Sequence, residues 1–169
     1  MIALVFAASV SASCFDPVHS DDVAALGPEK TGVIEGATHR PGQPCLVCHG
    51  ASGPASPEFE IAGTIYETAV DPSIAANDVE ILVTDATGAQ ISVRRSNVAG
   101  NFYLEKDRQA VFYPLTIELR STLITDEPKG SKVMVTAIGR NGGCAFCHID
   151  KIKDADRNTH MPHVYLNRQ

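Results

Sequence analysis

A chain of 169 residues has room for one ordinary domain or two small ones, which excludes a large multidomain enzyme. Hydrophobic residues at 44% and charged residues at 20% sit near the globular average and exclude disordered, collagenous and coiled-coil classes. Lys and Arg number 14 against 20 Asp and Glu, a net charge of −6 with the cations scattered, which argues against nucleic acid as a partner. With no Trp but 13 Gly and 10 Pro, the core must come from Val, Ile, Leu and Ala, in short strands joined by turns.

At the N-terminus, Ile2 to Val10 (IALVFAASV) is a short apolar run followed by small residues, similar to the h-region of a signal peptide. It is too short to span a bilayer, and no Lys or Arg precedes it. Val10-Ser11-Ala12 suits ordinary signal cleavage. Ser11-Ala12-Ser13-Cys14 resembles a bacterial lipoprotein box, with Ser11 where that pattern usually has Leu. Residues 1–14 therefore read as a signal segment. Cys14 is either a lipidation site or a cysteine of an uncleaved or discarded leader. The expected location is extracytoplasmic: periplasm, outer membrane or cell surface, with the membrane reached only through a lipid anchor.

Four of the five cysteines fall in Cys45-Leu46-Val47-Cys48-His49 and Cys144-Ala145-Phe146-Cys147-His148. C-x-x-C-H is the attachment signature of c-type haem: both thiols add to porphyrin vinyl groups, and the adjacent imidazole binds the iron. Two intervening residues let one turn of chain offer both sulfurs to one porphyrin edge. Structural zinc is the weaker reading, because paired C-x-x-C zinc motifs usually lie about 15–20 residues apart. A thioredoxin-like pair would need a strand before it and a helix after it, whereas Pro41, Gly42 and Pro44 lead into the first motif and Gly142 and Gly143 into the second. Disulfides require export without haem attachment. With both motifs complete, the chain resembles the multihaem c-type cytochromes. The resemblance implies two covalent haems on Cys45, Cys48, Cys144 and Cys147, with His49 and His148 as proximal iron ligands.

After the loop Gly50 to Pro57, period-two alternation marks strands at Phe59–Tyr66, Val79–Val83, Ile91–Val93, Phe102–Leu104, Leu115–Arg120 and Val133–Ile138. Asp85-Ala86-Thr87-Gly88 and Asn97-Val98-Ala99-Gly100 supply turns, the first too poor in spaced oxygens for a calcium loop. No segment has helix-length periodicity. The expected fold is mainly β, an antiparallel immunoglobulin-like sandwich flanked by two loop-rich haem-binding segments. Gly63-Thr64-Ile65, Val83-Thr84-Asp85-Ala86-Thr87-Gly88 and Asn97-Val98-Ala99-Gly100-Asn101-Phe102 resemble the carboxypeptidase regulatory-like, or transthyretin-like, seven-stranded sandwich, with Asp71 to Asn77 as an insertion. The organisation is then 1–14 signal, 15–58 first haem segment, 59–140 sandwich and 141–169 second haem segment. Chain ends that lie close together bring both haems to the same side of the sandwich.

Sixth ligands come from a small supply. His39 lies just before the first motif, and His160-Met161-Pro162-His163 lies in the tail after the second. His39 and His163 are the preferred distal ligands, with His160 as an alternative. Met134, in an expected strand, is assigned to the core. Two imidazoles set a low-potential haem, and a Met sulfur raises the potential. Filled sixth positions argue against an enzyme, and no serine elbow or H-E-x-x-H motif is present. The expected function is electron transfer with redox proteins or other cytochromes, including self-assembly into haem chains. The acidic net charge predicts a basic partner patch, with Lys151 and Lys153 a minor positive spot. The alternatives are an adhesive surface sandwich with secondary haems, and a haem sensor or small enzyme with one open iron.

Overall fold

The computed structural model describes residues 17–29, 31–33, 35–69, 71, 73–123, 130–148, 161 and 163–166. The expected signal segment, Cys14, Lys151, Lys153 and His160 lie outside them. No helix among the described residues is long and apolar enough to cross a membrane.

The fold is a two-layer β structure, as the alternation requires. One sheet has the order β4-β1-β7, built from Asn101–Glu105, Phe59–Thr64 and Gly142–Gly143. The other has the order β3-β2-β5-β6, built from Gln90–Ser92, Val79–Thr84, Thr116–Ser121 and Ser131–Val133. All pairings are antiparallel except that of β1 with β7. In β2 the residues alternate strictly between buried and half-buried, so Val79, Ile81 and Val83 enter the core while Glu80, Leu82 and Thr84 face outward. Ile61, Ile65, Val79 and Leu115 are completely inaccessible to solvent, and Phe102, Leu104, Ile117 and Leu119 pack with them between the sheets.

The turns follow their side chains. Asp85 Oδ1 accepts bonds from the Thr87 amide, the Thr87 hydroxyl and the Ala89 amide. The Thr87 hydroxyl bond, foremost, holds the Asp85 carboxyl below the ordinary carboxylate range. Its lone pairs serve the turn, as an Asx turn requires. Asn97 Oδ1 does the same for the amides of Ala99 and Asn101, and Gly100 closes that turn at φ +76°.

Two expectations change. A helix, α1, spans Pro17–Ala25, with proline at its first position, where a missing N–H costs nothing. It has no apolar stripe to betray it: Val18 is exposed, and only Val23 and, just beyond the helix, Leu26 turn partly inward. The strand expected at Val133–Ile138 ends at Val133. Val135 is fully exposed, and the chain returns to the sheet at Ile138, which exchanges both backbone bonds with Leu115. The C-x-x-C-H of the first motif forms its own short helix, α2 (Cys45–His49), which buries Val47 and His49.

Candidate functional site

The first motif sits on the outer face of the three-stranded sheet. In the β1/β4 register, Ala62 faces Tyr103 and Thr64 faces Asn101, whereas the Gly63–Phe102 pair points the other way, into the core. Thr64 and Asn101 fasten the chain around His39. The Gly42 amide donates to Thr64 Oγ1 at 2.7 Å, the Thr64 hydroxyl donates to Asn101 Oδ1 at 2.8 Å, and Asn101 Nδ2 donates to the carbonyls of Ala37 and His39. Arg40, at φ +47°, adds bonds to Glu29, Gln43 and the Gly27 carbonyl. The result is that His39 and His49 lie with ring centres 5.8 Å apart and planes tilted by 38°.

Both imidazoles are oriented alike. His49 Nδ1 donates to the Pro57 carbonyl at 2.8 Å, and His39 Nδ1 donates to the Gly36 carbonyl. A carbonyl only accepts, so each Nδ1 carries the proton and each Nε2 presents its lone pair, the tautomer a metal needs. Two imidazoles on opposite sides of one metal, with bonds of about 2.1 Å each, bring their ring centres to about 6.5 Å. The observed 5.8 Å falls short of that spacing, so the two rings face one site but hold one metal between them only when the His39 loop moves outward. His49 is further fixed by a stack: Phe59 lies 4.2 Å from it at 10°, Tyr103 lies 4.4 Å from Phe59 at 18°, and the Arg94 guanidinium covers Tyr103. The cavity enclosed here is only about 50 Å³, so a porphyrin at this motif requires the 36–42 loop to move away from α2.

The second motif reaches the inner side of the same sheet. β7 ends at Gly143, and Cys144–Phe146 forms a 3-10 turn directly after it. A Cβ on Gly63 would lie 2.8 Å from Cys144 Cβ and 2.9 Å from its Sγ, so Cys144 occupies the space that a side chain on β1 would fill. Cys144, Cys147, His148, Met134, Met161 and His163 all line one cavity of about 810 Å³ between the sheets, walled by Phe102, Ile117 and Leu119. That volume lies within the range of about 300–1,000 Å³ typical of small-molecule and cofactor sites. The tail delivers His163 by running beside β1: the Tyr66 amide donates to the Val164 carbonyl, the Leu166 amide to the Tyr66 carbonyl, and the Met161 amide to the Cys147 carbonyl. His163 is buried and meets the Tyr66 ring edge-on at 4.7 Å. Met134 lies just past the end of β6 and not within a strand, yet it is half-buried, packs on the core as expected, and also borders this cavity.

The two motifs thus share β1 as a wall, one on each face. Their leading thiols are close enough for charge on one to disfavour charge on the other. Burial pushes the Cys45 thiol up to about 11, and burial together with the neighbouring Cys45 pushes Cys144 up to about 12.

A porphyrin fits the donor set at both motifs: paired thiols followed by an imidazole, with a second imidazole from another segment. The Phe59–Tyr103 stack and the Asn101 anchor escaped the sequence reading. Phe59 and Tyr103 looked like ordinary strand aromatics and Asn101 like a turn residue; only the register that pairs Thr64 with Asn101 reveals their use. No protein-family model matches the chain, and no curated protein or solved structure matches it.

Proposed function

We propose that this chain is an extracytoplasmic dihaem c-type cytochrome that passes electrons between redox partners or along an assembly of cytochromes, built on a transthyretin-like sandwich. The observation that carries the reading is the pairing of His49 with His39, rings 5.8 Å apart and both Nδ1 atoms tied to backbone carbonyls. Haem iron, when bound, supplies one-electron redox chemistry. The chain's part is to hold and tune it. Cys45 and Cys48 would fix one porphyrin, with His49 and His39 offering Nε2 from its two sides. Cys144 and Cys147 would fix the other, with His148 and His163 bordering the same cavity. The carbonyl bonds at Nδ1 make His39 and His49 more basic ligands and hold their ring planes. Both irons would lie against one strand, a fixed separation suited to exchange between them. The leader-like Ile2–Val10 run supports export, which haem attachment of this type accompanies.

The test is denaturing electrophoresis with haem-peroxidase staining, and mass spectrometry of the purified holoprotein. A mass gain of two haems is expected, reduced to one in Cys45→Ala/Cys48→Ala. A colourless band, or zinc in place of iron, overturns the reading. His39→Ala should convert one low-spin haem to a high-spin form open to carbon monoxide.

A further inference from the structure

The cavity at the second motif has a charge pattern opposite to that of the chain around it. The chain carries −6 overall, yet the cationic side chains lining this cavity are Lys132 and Arg140, and no Asp or Glu lines it among the described residues. Lys132 lies in the edge strand β6 opposite Leu119. Directly opposed residues share a face, and Leu119 is buried in the core, so Lys132 points between the sheets. Its Nζ sits over the Tyr165 ring, 2.9 Å from the centroid, which holds the ammonium at the cavity wall. An inward lysine can protect an edge strand from pairing with another chain. That role does not account for Arg140, which borders the same cavity from a different segment. Cys144 packs against Gly63 on the other sheet, so the thiols and Lys132 stand on opposing walls.

We propose that Lys132 and Arg140 bind the two carboxylates of the porphyrin in this cavity, while its opposite edge meets Cys144 and Cys147. The proposal rests on the haem reading above and adds the residues that orient the group. An apolar body with two carboxylates on one edge uses all the features of the cavity. A neutral apolar ligand would leave the half-buried Lys132 ammonium without an anionic partner, which is costly, whereas a carboxylate at the cavity rim also meets the exposed Arg140. Lys132 and Arg140 are then positioning residues that also tune the iron: two cations beside it disfavour its more positive, ferric state. Their removal lowers the midpoint potential at this motif alone.

The experiment uses the full chain matured with haem, in four forms: wild type, Lys132→Gln/Arg140→Gln, and the charge-keeping Lys132→Arg and Arg140→Lys. Mass spectrometry first counts attached haems, and spectroelectrochemical titration then resolves the two midpoints, assigned by the Cys45→Ala/Cys48→Ala chain. The expected result is that the second-motif wave moves to lower potential in the double Gln variant, stays near wild type in the charge-keeping variants, and leaves the first-motif wave in place. Two attached haems with both waves unmoved overturn the proposal. Aggregation of the Gln variant with unmoved waves overturns it too, and assigns Lys132 to edge protection. If the double variant fails to fold, Lys132→Gln against Lys132→Arg makes the same comparison. No haem on Cys144 and Cys147 in the wild type is a failure of the haem reading itself, and is distinguished by mass alone.

Discussion

At Gly63 a hydrogen atom stands where any other residue would place carbon, and the second motif depends on it. A Cβ there would meet Cys144 Cβ at 2.8 Å, Cys144 Sγ at 2.9 Å and the Phe102 ring at 3.1 Å, all of them packed in or against the core. Gly63→Val should therefore cost at least the 1–3 kcal/mol, approximately, that overpacking typically costs. A lower urea midpoint with an unchanged slope checks this, and an unchanged midpoint would mean that Cys144 moves freely. The thiols give a second prediction for the chain before haem attachment. Cys45 and Cys144 are raised from an ordinary 9.0 to about 11 and about 12 by burial. A thiol whose value is raised on folding contributes stability that is full below 9.0 and lost as pH rises toward its folded value, because the unfolded chain ionises first. Denaturant titrations should show stability falling above about pH 9, and in Cys45→Ala/Cys144→Ala a smaller fall that begins only above the ordinary tyrosine value of 10.0, because burial raises Tyr113 as well. Alkylation at neutral pH should reach the exposed Cys147 well before Cys144.

At the scale of elements, β1 and β4 do more than close a sheet, since their outer face carries the His39 loop. Asn101 joins that loop to the strands through three side-chain bonds, to Thr64 and to the carbonyls of Ala37 and His39. Asn101→Ala leaves the half-buried His39 carbonyl without this donor, at about 1–3 kcal/mol, while the Ala37 carbonyl keeps its bond from Asn97 and Thr64 Oγ1 still accepts from the Gly42 amide. The specific outcome expected is at the metal: in the haem-bearing protein, one haem should gain high-spin character and bind carbon monoxide, imitating His39→Ala in part. A low-spin spectrum unaltered in Asn101→Ala would show that the loop is held by Arg40 and Thr64 without it. Much of this architecture was legible in the sequence. The alternation of Val79, Ile81 and Val83, the Asp85 and Asn97 turns, and the doubled C-x-x-C-H each follow from a local rule. The short helix α1 was not legible, because its apolar residues form no stripe, and neither was the early end of β6, because the run Val133–Val135 has strand propensity, yet after the Met134 amide bonds the Ile117 carbonyl the chain leaves the sheet at the exposed Val135 and rejoins it only at Ile138. The opposition of the two motifs across β1 rests on the pairing of Ile61 and Ala62 with Gly142 and Gly143, a contact between distant parts of the chain that no local pattern encodes.

For the molecule as a whole, chain ends that lie close together in space imply haems on one side of the sandwich, whereas the motifs take opposite faces of a single sheet while staying adjacent through β1. The two environments differ in kind, which gives the pair a direction. At the first motif, carbonyl bonds to Nδ1 of both His39 and His49 make the imidazoles stronger donors and favour the ferric state. At the second, an apolar cavity of about 810 Å³ with Lys132 and Arg140 on its wall disfavours the extra positive charge of that state. Both effects act in the same sense. Two one-electron waves are therefore expected, the lower belonging to the first motif, so that electrons run from the Cys45–His49 site to the Cys144–His148 site. Potentiometric titration of the wild type beside Cys45→Ala/Cys48→Ala decides the order: loss of the lower wave is the expected result. Loss of the higher wave would reverse the direction of flow and show that solvent access or a methionine ligand, Met134 or Met161, outweighs these terms. Coincident waves would mean that the two faces of β1 offer the irons equivalent surroundings, despite the different groups that line them.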